Sequence, residues 1–488
     1  MLKTGIIDIN NFSGGLNTRD ADHKLGANEA QELKNLVLDA DGSITKRNGS
    51  TKYNSSAIGS NPVHSLYKFY KSDGFAKLLA VHDSTLYGGT GNAFGSVGSL
   101  STSSSCSFET WGDLCYICNG TVFKKYNDIT FANVSGTPPI GKYVVFRKNR
   151  LYVAGVTSAS NRLYFCDVGD PATWNISSNF IDIRSNDGDE ITGILPLLDN
   201  LVIYKKNSIW MLSGDNNLNF FLTPVIHNVG CTSPKTLVSY GHLHYFLHRT
   251  GVHIFNGTRV EKISGKVDHE TVNIPYSYLE NAVGIVHKEK YWLSYTSVGE
   301  AQNKRIIVFD TRAGFGGWVL FTGINARCFA LLNGGGDQGE LYCGDSTNGY
   351  VWELDSGTSD GGNSIATKFK SKNFNMGHPI LFKNAIYAHI TGENSNASVD
   401  VSIIGDHGTN SSMLTFAMSG DGSSLFGTAI FETDLFSSED INTFQSPTNP
   451  VRGRGLLVSL EENSSDPYTV SGIGFEYTVE ASEYKLLT

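Results

Sequence analysis

Ser84-Thr85-Leu86-Tyr87, Gly120-Thr121-Val122-Phe123 and Asn149-Arg150-Leu151-Tyr152 share one pattern: a polar turn, an aliphatic residue, then an aromatic one. It returns as Asn207-Ser208-Ile209-Trp210, Thr250-Gly251-Val252-His253-Ile254-Phe255, Glu289-Lys290-Tyr291-Trp292 and Asn348-Gly349-Tyr350-Val351-Trp352. Most copies lie between two short apolar runs, so each reads as the middle of a β-hairpin. Recurrence every roughly 30–60 residues predicts an all-β chain built around a β-propeller, with about seven irregular blades. The aromatics are expected to pack blade against blade. Such a platform does not by itself define a chemistry.

Composition agrees. The chain has 488 residues, 40% hydrophobic and only 17% charged, with 53 Gly, 22 Tyr and 27 Phe against 12 Pro. This is globular composition that favours strands and tight turns over helices. The net charge of −9 argues against a protein that grips nucleic acid, because phosphate binding needs clustered Lys and Arg. Seven cysteines in no regular framework read as free thiols in a reducing cytoplasm. Residues 1–11 lack the charged and apolar regions of a secretory signal, and no apolar run approaches bilayer length.

Three regions are expected. Residues 1–60 form an N-terminal arm. Asn28 with Gln31 resembles a capping box, and Ala30, Leu33 and Val37 share a helical face, which predicts a short helix. A strand at 36–38, a turn at 39–42 and a strand through Ile44 and Arg47 follow. Residues 61–356 form the propeller, and the Ser/Gly/Asp stretch 356–364 reads as a linker. Residues 365–488 alternate as a β-sandwich-like domain. There, 384–390 is expected to pair with 399–403, and 456–460 with 470–477. A Ser/Thr/Gly-rich insertion, 406–454, reads as a functional loop and a candidate gate.

Several motifs spell chemistry without its context. Gly334–Gly339 satisfies GxGxxG, but the residues after it read as a strand, not the helix a pyrophosphate needs. Gly357–Gly361 satisfies GxSxG outside any strand-to-helix elbow. Cys115 and Cys118 form a CxxC, yet residues three apart on a strand point to opposite faces. His242, His244 and His248 share strand parity with His253 nearby. A metal site there competes with rim histidines, and the lack of Asp or Glu from Gly241 to Asn256 favours the rim. At 186–190 a calcium loop competes with an ordinary Asp-Gly turn, and the missing EF-hand spacing favours the turn. Residues 167–174 match the Asp-box of sialidase-like propellers poorly. No residue stands out as a catalyst and no cofactor is implied. The basic pairs Lys124-Lys125, Arg147-Lys148, Lys205-Lys206 and Lys304-Arg305 punctuate the hairpins. Lys124, Lys125, Lys205 and Lys206 are candidate channel or interface residues, against the commoner role of edge-strand charges that deter aggregation.

The N-terminal segment carries a resemblance. Phe12-Ser13-Gly14-Gly15-Leu16-Asn17-Thr18-Arg19-Asp20 precedes Asn28-Glu29-Ala30 and Asn35, then Asp41-Gly42-Ser43-Ile44-Thr45-Lys46-Arg47-Asn48-Gly49 and Tyr53. This resembles the opening of the tail nozzle proteins of short-tailed bacteriophages, the tail tubular protein B type. The stretches 161–174, 187–210 and 251–257 are similar in style. The chain departs from the pattern at Asn48, where a proline is common. The resemblance implies a structural virion protein, made in the bacterial host cytoplasm. It would form a hexameric tail ring below the portal and adaptor, meet tail fibres or a needle, and pass double-stranded DNA. It marks Phe12, Gly14, Gly15, Asn17, Arg19, Lys46, Arg47 and Gly49 as an assembly arm, with Lys46-Arg47 suited to a neighbouring subunit's acidic surface. An arm folded onto its own chain competes with that role. The rival functions are a propeller that binds or cleaves glycans in receptor recognition and an intracellular scaffolding propeller with no viral role.

Overall fold

The computed structural model describes residues 3–184, 188–312, 316–332, 336–393, 395–408, 410–418 and 441–480. The chain divides into two compact units. Residues 51–306 and 324–354 form the propeller unit; residues 1–50, 307–323 and 355–488 form the other.

In the propeller unit, antiparallel strands follow one another in chain order. Blade 1 holds Val63–Tyr70, Ala76–His82, Thr85–Thr90 and Ala93–Ser99. The pattern restarts at Ser107–Trp111, Tyr143–Arg147, Ile191–Leu197 and Val238–Tyr240. Val283–His287 and Lys290–Tyr295 begin blade 6, and the next strand, Arg305–Asp310, carries the chain out of the unit. Ala326–Leu332, Glu340–Asp345 and Val351–Leu354 make blade 7. Each blade's opening strand neighbours the next blade's opening strand, and Ala326–Leu332 returns to Val63–Tyr70. The ring therefore closes on seven blades. Closure is stitched by the start of the unit: Tyr53 N–H donates to the Val351 carbonyl at 2.9 Å, and Val351 N–H donates to the Asn54 side chain at 2.7 Å.

The hydrophobic core lies between blades. One cluster joins Tyr152 and Phe165 of blade 3 to Ile203 and Trp210 of blade 4. Another joins Phe123 of blade 2 to Val153 and Trp174 of blade 3. Phe123, Tyr152, Trp210 and Phe255 of the recurring pattern thus pack blade on blade. Burying each such side chain contributes about 1.5–3 kcal/mol. As strand parity requires of the CxxC, Cys115 joins the cluster between blades 1 and 2, and Cys118 the one between blades 2 and 3. All seven thiols are free.

The second unit is a sandwich-like pair of sheets. One sheet orders Ile441–Gly453, Lys383–Glu393, Thr469–Val479, Ile44–Lys46 and Leu36–Leu38, with Lys3–Ile9 also on Thr469–Val479. The other includes Glu29–Lys34, Thr367–Ser371, Leu456–Glu462, Ser398–Gly405 and Asn410–Ala417. Alternation supplies the core: Val399, Val401 and Ile403 are buried, as are Leu456, Val458 and Leu460.

Four expectations are corrected here. The arm has no helix at 28–37: Glu29–Lys34 is a strand against Thr367–Ser371. A register shift between Ala30 and Glu32 brings Ala30 and Leu33 to one buried face, and that bulge mimics a helical three-residue spacing. Residues 1–50 are not a separate arm, because they supply strands to the same unit as residues 355–488. The propeller is not continuous over 61–356, since 307–323 belong to the other unit. The two predicted C-terminal hairpins do not exist: Lys383–Glu393 and Ser398–Gly405 lie in different sheets, as do Leu456–Glu462 and Thr469–Val479. A one-sided strand buries its apolar face equally well beside its neighbour or across the sandwich, so alternation does not choose. In the insertion 406–454, Asn410–Ala417 and Ile441–Gly453 are strands; the proposed gate at 419–440 lies outside the described residues.

On blade 2, burial raises Glu109 to about 7, against the opposing pull of the Phe146 and Thr110 backbone. Between the ordinary carboxyl range and about pH 7, the folded chain holds a proton that the unfolded chain has released. Stability from this group therefore falls as pH rises through that window. Glu109→Gln removes the slope. The difference in urea midpoint between variant and wild type should widen in the variant's favour from about pH 5 to about pH 8. Parallel curves would exclude Glu109 as the titrating group.

Candidate functional site

The blades' opening strands converge on the propeller axis, and the segments entering them surround a cavity of about 480 Å³. Blade 2 contributes Ser104 to Ser107, and blade 3 contributes Lys142 and Tyr143. Blade 4 adds Glu190 and Thr192, together with Lys206. Thr232, Pro234 and Lys235 enter from blade 5, Glu280 and Asn281 from blade 6, and Arg327 from blade 7. Repetition explains the convergence: each blade presents its entry segment to the same axis.

The charges fall into two groups. Lys206 Nζ lies 2.8 Å from Glu190 Oε1, and this bond lowers Glu190 and raises Lys206. Lys235 is brought down to about 8, first by burial and then by the Arg327 charge. Burial likewise lowers Arg327. Arg327 Nε is inaccessible and has no hydrogen-bond partner among the described residues. His64, on the opening strand of blade 1, is lowered to about 4 by burial and by the charges of Arg327 and Lys235. Its Nε2 lies 2.9 Å from Ser103 Oγ. No carboxylate bonds to its other ring nitrogen among the described residues, so this pair does not form a triad. Burial pushes the Cys106 thiol up to about 12, which keeps it protonated and weakly nucleophilic.

The predicted basic residues separate. Lys206 lines the cavity. Lys205 is fully buried, its Nζ donating to the Ile183 carbonyl at 3.3 Å, so it is not a channel-facing residue. Lys124 and Lys125 sit on the strand Phe123–Tyr126 with Lys124 over the Phe131 ring. The histidines are also corrected: His244, His248 and His253 are buried and only His242 is exposed. Tyr204 Oη meets His244 Nδ1 at 2.8 Å, and the Pro196 carbonyl meets Nε2 at 3.0 Å. Among the described residues no group of three or more His, Cys, Asp or Glu could hold a metal. Asp170 and Trp174 of the Asp-box-like stretch close a local turn, with Trp174 Nε1–H donating to the Pro171 carbonyl. Of the GxGxxG stretch, residues 334 and 335 lie outside the described residues, and a strand follows it. At 186–190, residues 186 and 187 lie outside them too; Asp189 accepts from the Lys206 and Asn207 N–H groups.

The arm residues lie within the second unit. Phe12 is buried with its ring edge-on to Phe369 at 5.1 Å. Gly15 has φ +66°, and a Cβ there would stand 2.7 Å from Trp318 N. A Cβ on Gly14 would meet the Asn28 carbonyl at 2.7 Å, and one on Gly49 the Ser359 carbonyl at 2.1 Å. Asn17 Nδ2 bonds Asp20 and Glu29, both at 3.0 Å. Lys46 and Arg47 do not face outward: each is buried. Lys46 pairs with Glu462 at 2.5 Å, and Arg47 with Asp360 at 2.5 Å. The carboxylates expected on a neighbouring subunit are the chain's own. Of Arg19, Lys46 and Arg47, Arg19 alone is exposed, and it pairs with Asp20. Residues 356–364 are accordingly not a free linker, since Asp360 anchors Arg47 and Ser356 N–H bonds the Gly49 carbonyl.

No protein-family model matches the sequence, and no curated protein matches it. Solved structures do. PorZ, a surface component of the type-IX secretion system of Porphyromonas gingivalis, aligns over 74% of this chain and 46% of its own, at 14% identity and a TM-score of 0.40. The chain thus spans less than half the length of PorZ. BBS1N, crystallised with ARL6DN, aligns over 63% of this chain and 97% of its own, at 12% identity and a TM-score of 0.43. The extracellular domain of the one-component system BT4673 from B. thetaiotaomicron aligns over 86% of this chain and 60% of its own, at 11% identity and a TM-score of 0.42. No helix among the described residues is long and apolar enough to cross a membrane.

Proposed function

We propose that this protein is a structural component of a bacteriophage virion, forming the nozzle ring at the end of a short tail. The observation that carries this reading is the fate of the residues that resemble the nozzle family. Gly14, Gly15, Asn17, Lys46, Arg47 and Gly49 each hold a backbone approach or a buried polar contact in the second unit. A signature so spent describes how a fold is built, as expected of a structural protein. The protein then acts as a homo-oligomer, a hexamer in the resemblance, below portal and adaptor. Its net charge of −9 favours a lumen past which DNA slides, since like charges prevent tight phosphate contacts.

Imaging of the purified protein, alone and with a portal–adaptor complex, tests the proposal. Rings that dock coaxially on the adaptor are expected. A persistent monomer that never joins a ring would sink it. Glycan binding by that monomer would favour the receptor-recognition reading instead.

A further inference from the structure

We propose that the central cavity of the propeller binds a tetrahedral oxyanion, phosphate or sulfate, carried by a small molecule and held by Arg327 and Lys235. This inference is independent of the nozzle reading. Its basis is an imbalance of partners. Glu190 answers Lys206 at 2.8 Å, and Glu280 and Lys142 also face the cavity. Arg327 and Lys235 line the same cavity and feel each other's charge, and Lys235 also feels that of Glu280, but neither side chain has a hydrogen bond or ion pair to any described residue. Arg327 Nε is moreover shut off from solvent and unbonded. Two half-buried cations that feel each other's charge are retained at a cost unless an anion sits between them.

The chemistry follows from the two side chains. Arg offers a planar fork of donors and Lys a compact point charge, a pairing suited to the oxygens of a dianion. Their summed charge matches a phosphate monoester. A volume of about 480 Å³ falls within the range of small-molecule sites, which leaves room for a polar body beyond the anionic group. The Ser104 and Thr232 hydroxyls supply neutral hydrogen-bonding groups for that body.

Titration calorimetry and thermal unfolding test this with inorganic phosphate, inorganic sulfate and glucose 6-phosphate. Glucose, gluconate and a short DNA duplex serve as comparisons. Phosphate, sulfate and the sugar phosphate should bind and raise the unfolding temperature; glucose and the duplex should not. Arg327→Gln and Lys235→Gln should each weaken sulfate about tenfold or more, whereas Lys148→Gln in an exposed turn should not. Because each neutral variant removes a repulsion, both should be at least as stable as wild type without anion, which separates lost binding from lost folding. Sulfate affinity should fall as pH rises through about 8, where Lys235 gives up its proton. His64, Cys106 and Tyr143 are held neutral there, and Glu190 and Lys206 remain charged. Lys235→Arg should keep binding and flatten that profile. Absence of phosphate and sulfate binding by the folded wild type would overturn the proposal. So would equal sulfate affinity in the Arg327→Gln and Lys235→Gln variants, or preference for gluconate or the duplex.

Discussion

Arg47→Ala is expected to destabilise the protein by about 3–5 kcal/mol, the range for breaking a buried ion pair by removing one partner. The Arg47 guanidinium donates to Asp360 Oδ1 at 3.1 Å and Oδ2 at 2.5 Å, to Asn35 Oδ1 at 3.0 Å and to the Thr322 carbonyl at 2.9 Å. Its side chain is 3% exposed and that of Asp360 13%. Truncation leaves Asp360 with Ser50 Oγ–H at 3.1 Å and strands the Thr322 carbonyl. Arg47→Lys should recover only part of the loss, because one ammonium cannot span acceptors that the fork reaches at once. Asp360→Asn strands the buried Arg47 charge instead and should also be costly, although the amide oxygen keeps one acceptor for the guanidinium. Urea denaturation with the double variant measures the coupling, expected at about 1–3 kcal/mol. A cost for Arg47→Ala below about 1 kcal/mol, typical of an exposed pair, would contradict the buried bridge.

Deletion of residues 1–50 is expected to abolish the fold of the second unit. Phe12, Leu16, Leu33, Leu36 and Ile44 are each at most 2% exposed, and burial of such a side chain is worth about 1.5–3 kcal/mol. Their joint loss rivals the whole stability of a domain, about 5–15 kcal/mol. Deletion also uncovers the edge of Thr367–Ser371 that pairs with Glu29–Lys34 and leaves Glu462 buried without Lys46. Hydrogen exchange should show the strands Thr367–Ser371, Lys383–Glu393, Leu456–Glu462 and Thr469–Val479 unprotected, while blades 1 to 5 of the propeller remain protected. A detachable assembly arm predicts the contrary: full protection of those four strands and failure only in ring formation. That result would refute the structural role assigned here to the segment.

Much of the propeller was legible because its information is local. The turn, aliphatic and aromatic pattern marks a hairpin within about a dozen residues, and the strands Thr85–Thr90, Arg150–Ala154 and Ser208–Ser213 fall on it. The hairpin Leu36–Leu38 and Ile44–Lys46 was equally readable, with Gly42 at φ +90° in its turn. The helix at 28–37 failed because a bulge imitates helical spacing. The cavity leaves no mark in the sequence because its key residues come from different blades. Lys235 and Arg327 stand 92 positions apart in the chain, and neither lies in a motif.

Alternation, turn residues and aromatic placement by themselves determined that this chain is all-β, repeated and built of hairpins, because those features act between near neighbours. Only the tertiary structure decided that the first fifty residues complete the second unit, that Lys46 and Arg47 meet their own chain's carboxylates, and that two lone cations share one cavity. Those contacts join residues far apart in the chain. Burial, desolvation and charge pairing select them, and no local periodicity records that choice.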